Sequence, residues 1–207
     1  MDNSYTPPST QPAAGIVPVL KPKAIKIFGI LHVIFGIFGA FAFLSSAVQL
    51  LMGDVLIKLQ SGGDEDLFQL QKGMQDQLRS TTIITLVLTL VVTILILRAG
   101  IQLLRKKRTA AKASTMYSLV AIGVNVIALV LTLIYTIPAL NGYFDDFVEK
   151  VGGGVSNPQL ESIMGWVKTI IGIGGVILPF LYSIYPVLSL VVLKKKNVTD
   201  FLDQNGK

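Results

Sequence analysis

The chain has 207 residues, 52% of them hydrophobic and 14% charged, with a mean hydropathy of +0.65 and a formal net charge of +6. That balance excludes an ordinary soluble domain of this size, whose apolar share is lower and whose charged share is higher. The absence of cysteine excludes disulfides, thiolate metal sites and cysteine nucleophiles.

Residues 1–23 are rich in Pro, Ser and Thr and carry no apolar period, which predicts a disordered tail. The apolar residues then come in four blocks. No formal charge occurs between Lys26 and Asp54, from Ser80 to Leu97, from Ala113 to Phe144, or from Thr169 to Leu193. A helix rises about 1.5 Å per residue and the hydrocarbon core is about 30 Å thick, so roughly 20 apolar residues cross it. The blocks predict transmembrane helices near 25–51, 82–104, 114–138 and 166–193, forming an all-α membrane domain over 24–196 with a short C-terminal tail at 197–207. A cleaved signal peptide ending near Ser45–Ala47 is not expected, because the apolar run before it is too long.

Charge orients the bundle. Thirteen of the 18 basic residues fall on the N-terminal tail, the turn between the second and third helices, or the C-terminus. Basic residues beside membrane ends stay cytoplasmic, so both termini and the stretch RKKRTAAK are expected there. Nine of the 12 acidic residues lie in the two other loops. Anionic lipid head groups attract juxtamembrane basic residues by about 1 kcal/mol each, which makes Arg105, Lys106, Lys107, Arg108, Lys194, Lys195 and Lys196 candidate lipid contacts. No aromatic residues interleave with these cations for base stacking, so the sequence pI of 9.5 does not point to nucleic acid.

In the first outer loop, Asp64 to Asp66 follow two glycines and can cap a helix start whose apolar positions recur at helical spacing through Leu78. The second loop repeats the pattern with Tyr143, Phe144, Phe147, Val148 and Val151, then breaks at GGGVSNP. Both predict short amphipathic helices over the outer mouth of the bundle. The contiguous acids of GGDEDLF lack calcium-loop spacing, so no metal site is expected.

Inside the predicted spans ionisable groups are scarce. Arg98 can snorkel, and Lys168 beside Trp166 sits at an interface. His32, the one histidine, lies on a stripe with Gly29, Gly36, Gly39 and Ala40, and small residues four apart let a second helix approach closely. A neutral imidazole on that face calls for a hydrogen-bond partner. The row Thr82, Thr85, Thr89 and Thr93 on the second helix, or Asn125 on the third, is the expected source. A proton relay would need an acidic companion, and none is near in sequence. In the fourth helix Gly172, Gly174 and Gly175 permit close packing, while Pro179 and Pro186 remove backbone hydrogen bonds. With Pro138 at the outer end of the third helix, only the fourth is expected to be broken internally.

No HExxH, GxSxG, P-loop or intramembrane carboxylate pair is present. The glycosylation triplet Asn197, Val198, Thr199 would lie on the cytoplasmic side. Three stretches, KPKAIKIFGILHVIFGIFG, AGIQLLRKKRTAAKASTMYSLVAI and YPVLSLVVLKKKNVTDFL, resemble a loose group of small uncharacterised bacterial four-helix integral membrane proteins. That resemblance implies a bacterial inner-membrane location and adds no catalytic residue.

The expectation is a non-enzymatic, multi-pass inner-membrane protein, an interaction or structural component that needs no cofactor. Its partners would be the bilayer and a membrane protein or further copies of itself. The alternatives are a small-solute channel or transporter, with Thr85, Thr89, Asn125 and His32 lining one hydrated cavity, and a membrane-embedded lipid-modifying enzyme.

Overall fold

The computed structural model describes residues 22–151 and 158–206. The predicted tail up to residue 21 and the break at 152–157 lie outside the described residues. Among the described residues, six α-helices and one π-helical turn make up five continuous rods: α1 (Lys23–Gln60), α2 (Glu65–Leu104), α3 (Ala110–Leu131) running through the π-turn Thr132–Thr136 into α4 (Ile137–Val151), α5 (Pro158–Leu193) and α6 (Lys196–Asn205). The first four rods are each long and apolar enough to cross a membrane. They alternate in direction. The start of α1, the α2–α3 turn and the end of α5 share a basic end, opposite an acidic end.

The rods outrun the predicted spans on the acidic side. At 38 residues α1 is about 57 Å long, nearly twice the hydrocarbon thickness. The two outer-loop stretches are helical, as their periodicity implied, but they continue the long helices and do not form separate elements. Asp64 caps α2, its Oδ1 accepting from Leu67 N at 3.0 Å. Gly62 and Gly63 make the preceding turn with φ of 60° and 90°, conformations that cost glycine little. From Asp64 the apolar period runs into the span without a break, so nothing stops the helix.

Pro138 lies within a helix and does not end one. Having no N–H and a ring that crowds the carbonyl four residues back, it forces the preceding turn open. Ile137 N bonds Thr132 O across the widened turn. Gly175 of α5 faces this turn, where an added Cβ would lie 2.9 Å from Thr132 Cγ2, whereas Gly172 and Gly174 face open space. The change of helix type thus lies in the third rod, whereas α5 runs as one continuous helix from Pro158 to Leu193 with Pro179 and Pro186 inside it.

The close packing of α1 on α2 uses the glycine stripe. An added Cβ would fall 2.9 Å from Leu104 Cδ2 at Gly29 and 2.6 Å from Thr93 Oγ1 at Gly39, and it would meet the Leu97 side chain at Gly36 and the Gln75 amide at Gly53. Side chains of α2 thus fill gaps that α1 leaves empty. Much of the remaining apolar surface faces outward, the reverse of a water-soluble core.

The segment predicted as a C-terminal tail is a helix. Val198, Phe201 and Leu202 of α6 are buried with Ile25, Leu103, Ala110 and Leu193, closing the basic end. Their three- and four-residue spacing gives α6 one apolar edge, which the core rewards once the helix folds back over it.

Candidate functional site

The polar junction of the bundle is centred on His32. Gly100 of α2 lies directly behind it, since an added Cβ there would sit 2.9 Å from His32 Cβ and 3.0 Å from Val33 N. The missing side chain lets the α1 backbone come close to α2, and the imidazole extends towards α5. Tyr185 Oη is 2.6 Å from His32 Nδ1, and Ser189 Oγ is 3.4 Å from Nε2. Tyr185 and Ser189 are one turn apart on α5, so a single face supplies both partners. A neutral imidazole donates from one nitrogen and accepts at the other, a pattern that serves both contacts in either tautomer.

Aromatic rings enclose the junction. Tyr117 of α3 meets His32 edge-on at 5.1 Å between centroids, and Phe28 does so at 6.3 Å. Phe35 and Phe28 flank the Tyr185 ring at 4.5 and 6.0 Å. His32 is fully buried. It stands about 14 Å along α1 from Lys23 at the helical rise, a depth at which an unpartnered polar group would be costly. Ser114 and Ser118 bracket Tyr117 on α3, also fully buried, and their hydroxyls have no hydrogen-bond partner.

The partners expected for His32 are not the ones it has. Thr93 lies opposite Gly39, two turns further along α1 than His32. Thr82 and Thr85 donate to the carbonyls of Leu78 and Thr81 at 3.0 and 2.8 Å. The three- and four-residue spacing keeps the row on one face of α2, but Thr85 is exposed and Thr89 half-buried. Asn125 donates to Ser183 Oγ at 3.0 Å, and Ser183 donates to Pro179 O at 2.8 Å, a relay that ties α3 to the proline-bearing part of α5. Gly36 is buried under Leu97 and Ile96, with Ala40 half-buried beside it. His32, Thr85 and Asn125 thus have separate hydrogen-bond partners. The seven candidate lipid-contact cations, Arg105 to Arg108 and Lys194 to Lys196, are exposed at the basic end.

Tyr185, Ser189, Tyr117, Ser114 and Ser118 escaped the sequence reading. The available signal was their polarity inside two uncharged blocks and the i, i+4 spacing of each serine pair or tyrosine–serine pair. Among the described residues no cluster of three or more metal-ligating side chains occurs.

At the acidic end α1, α2 and α4 enclose a cleft of about 880 Å³ whose lining includes Gln71, Gln75, Arg79, Tyr143 and Phe144. Lys168 of α5 pairs with Asp145 of α4 at the same end. No protein-family model, curated protein or solved structure matches the chain.

Proposed function

We propose that the chain is a multi-pass inner-membrane protein with both termini cytoplasmic, acting without catalysis as an interaction or structural component. The observation that supports this most directly is how the polar groups of the long apolar helices are used. His32 bonds across to α5, Asn125 bonds Ser183, and Thr82 and Thr85 donate to the backbone carbonyls four residues back in α2. These groups fix one helix against another or satisfy themselves, while the outward surface is apolar. The exposed cations of the basic end suit anionic head groups on the cytoplasmic leaflet.

A solute path is the second reading, favoured by the acidic-end cleft. Any path down the α1–α2 seam would have to pass Gly39 against Thr93 and Gly36 against Leu97, where the helices touch. Flux in proteoliposomes tests the choice: solute movement that disappears in Thr89→Val and Asn125→Leu variants would overturn the structural role. A periplasm-active reporter fused after Lys207 should be silent, and an active one would overturn the orientation.

A further inference from the structure

At the basic end two cavities meet on one face of α3. One, of about 210 Å³, lies against α2 and is lined by Arg98, Gln102, Thr109, Lys112 and Met116. The other, of about 580 Å³, lies against the end of α5 and is lined by Met116, Leu119, Val120 and Leu193, with Lys112 and Lys194 as its cations. Lys112 and Met116 belong to both. The walls of the second cavity are almost wholly apolar.

The first cavity offers hydrogen-bond donors and no acid. Gln102 Oε1 accepts from Thr109 Oγ1 at 3.1 Å, so the amide keeps its two N–H donors for another partner. Arg98 and Lys112 are exposed, and among the described residues neither is in an ion pair. The acids of α6, Asp200 and Asp203, line neither cavity. Snorkelling explains how Arg98 is tolerated, but not why a second cation and an amide stand beside it. Arg98 lies about 9 Å inside the end of α2 at Leu104, deeper than the cations of the rim. From Lys112 the apolar wall runs further inward through Met116 and Leu119 to Val120, about 12 Å along α3.

We propose that this face of α3 binds one anionic phospholipid, its phosphate held by Arg98, Lys112 and the Gln102 amide and an acyl chain lying against Met116, Leu119 and Val120. The site rests on the membrane-embedded reading, which by itself gives the rim cations only a diffuse attraction for the leaflet. Charge complementarity selects the head group. A guanidinium fork matches two phosphate oxygens, and the Lys112 ammonium adds a point charge beside it. No carboxylate lines either cavity to receive an ammonium, so a zwitterionic head group gains less than one with net negative charge. The apolar groove selects a lipid over free phosphate, because only a lipid brings a chain that removes this surface from water.

Nanodiscs of mixed phosphatidylglycerol and phosphatidylcholine test the site on the unmodified chain. Native mass spectrometry should show one phosphatidylglycerol retained per chain as the surrounding lipid is stripped away. Equal retention of phosphatidylcholine would overturn the assignment without reliance on any variant. Arg98→Gln combined with Lys112→Gln should lower retention roughly tenfold, whereas Arg105→Gln combined with Lys106→Gln, at the rim, should leave it within about twofold. Similar losses in the two pairs would reduce the effect to general charge and overturn the site. Leu119→Trp, which fills the apolar groove, should lower retention several-fold, and unchanged retention would overturn the placement of the acyl chain. Circular dichroism of each variant should match the unmodified chain. Release of the bound lipid by millimolar inorganic phosphate would show a site for a free anion and overturn the lipid assignment. Extraction of the chain by alkaline carbonate would overturn the membrane-embedded reading itself, an outcome scored separately from lipid retention.

Discussion

Replacing His32 by Leu removes the side chain whose hydrogen bonds to Tyr185 and Ser189 tie α1 to α5, and the structure sets the size of the effect. The variant loses the 2.6 Å contact to Tyr185 and the 3.4 Å contact to Ser189, and only the first is short enough to count fully. Interhelical hydrogen bonds in membranes average about 0.6 kcal/mol and reach about 1.7 kcal/mol. Leucine also leaves the Ser189 hydroxyl, fully buried, beside an apolar group, which adds a share of the roughly 1–3 kcal/mol cost of an orphaned polar group. The expected destabilisation is about 2 kcal/mol, measured as the shift in detergent-induced unfolding of the reconstituted bundle followed by circular dichroism. A double-mutant cycle with Tyr185→Phe isolates the bond, and its coupling energy should fall at about 1 kcal/mol. Additive single effects, with no coupling outside error, would refute the assignment of His32 and Tyr185 as partners and with it the account of what joins these two helices.

The glycines separate into packed and open positions. Gly100→Ala should destabilise by about 1–3 kcal/mol, because its Cβ would meet the Val33 backbone as well as His32. Gly123→Ala, with nothing within 4 Å of the added carbon, should stabilise by up to about 1 kcal/mol through helix propensity. The same unfolding assay reads both, and equal shifts would contradict the seam. Ser114→Ala and Ser118→Ala remove buried hydroxyls that have no partner, so each should be neutral or stabilising by up to about 1 kcal/mol. A loss of more than that in either variant would show that the hydroxyl is bonded in the membrane.

The parts legible in the sequence were those set by local repetition. Four uncharged blocks mark the four long helices, Asp64 announces its own cap, and the small residues at 29, 36 and 39 mark the seam with α2 because close approach needs missing side chains. Helix length was under-read for a local reason too. The outer-loop stretches are amphipathic, but no Gly or Pro separates Asp64 from the apolar block after Ser80 other than Gly73, so the helix simply continues. Pro138 was read as a terminus, although a proline near the outer boundary can be accommodated by one widened turn. The C-terminal tail was misjudged because Val198, Phe201 and Leu202 form an apolar edge too short to stand out until the bundle end presents Leu103 and Leu193 to it.

His32 shows where local reading stops. The glycine stripe located the histidine on a packed face, but its partner depends on which residue of α2 stands opposite, and that register appears in no single helix. Gly100 settles it by leaving space where a side chain would have held the ring away from the α1–α2 contact. The imidazole then crosses to Tyr185 and Ser189, and α1 becomes joined to two rods by different means, to α2 through absent side chains and to α5 through the polar contacts of His32. A helix held by its small and polar residues on one side is left with its large residues on the other. In α1 those large residues keep the same seven-residue period over the whole exposed face, so the rule that makes the glycine seam tight also makes the opposite face a continuous ridge. The same seven-residue period recurs on the exposed face of α5, from Ile163 to Val191 and from Trp166 to Val187, so a ridge of large residues opposite a packed face is common to both helices.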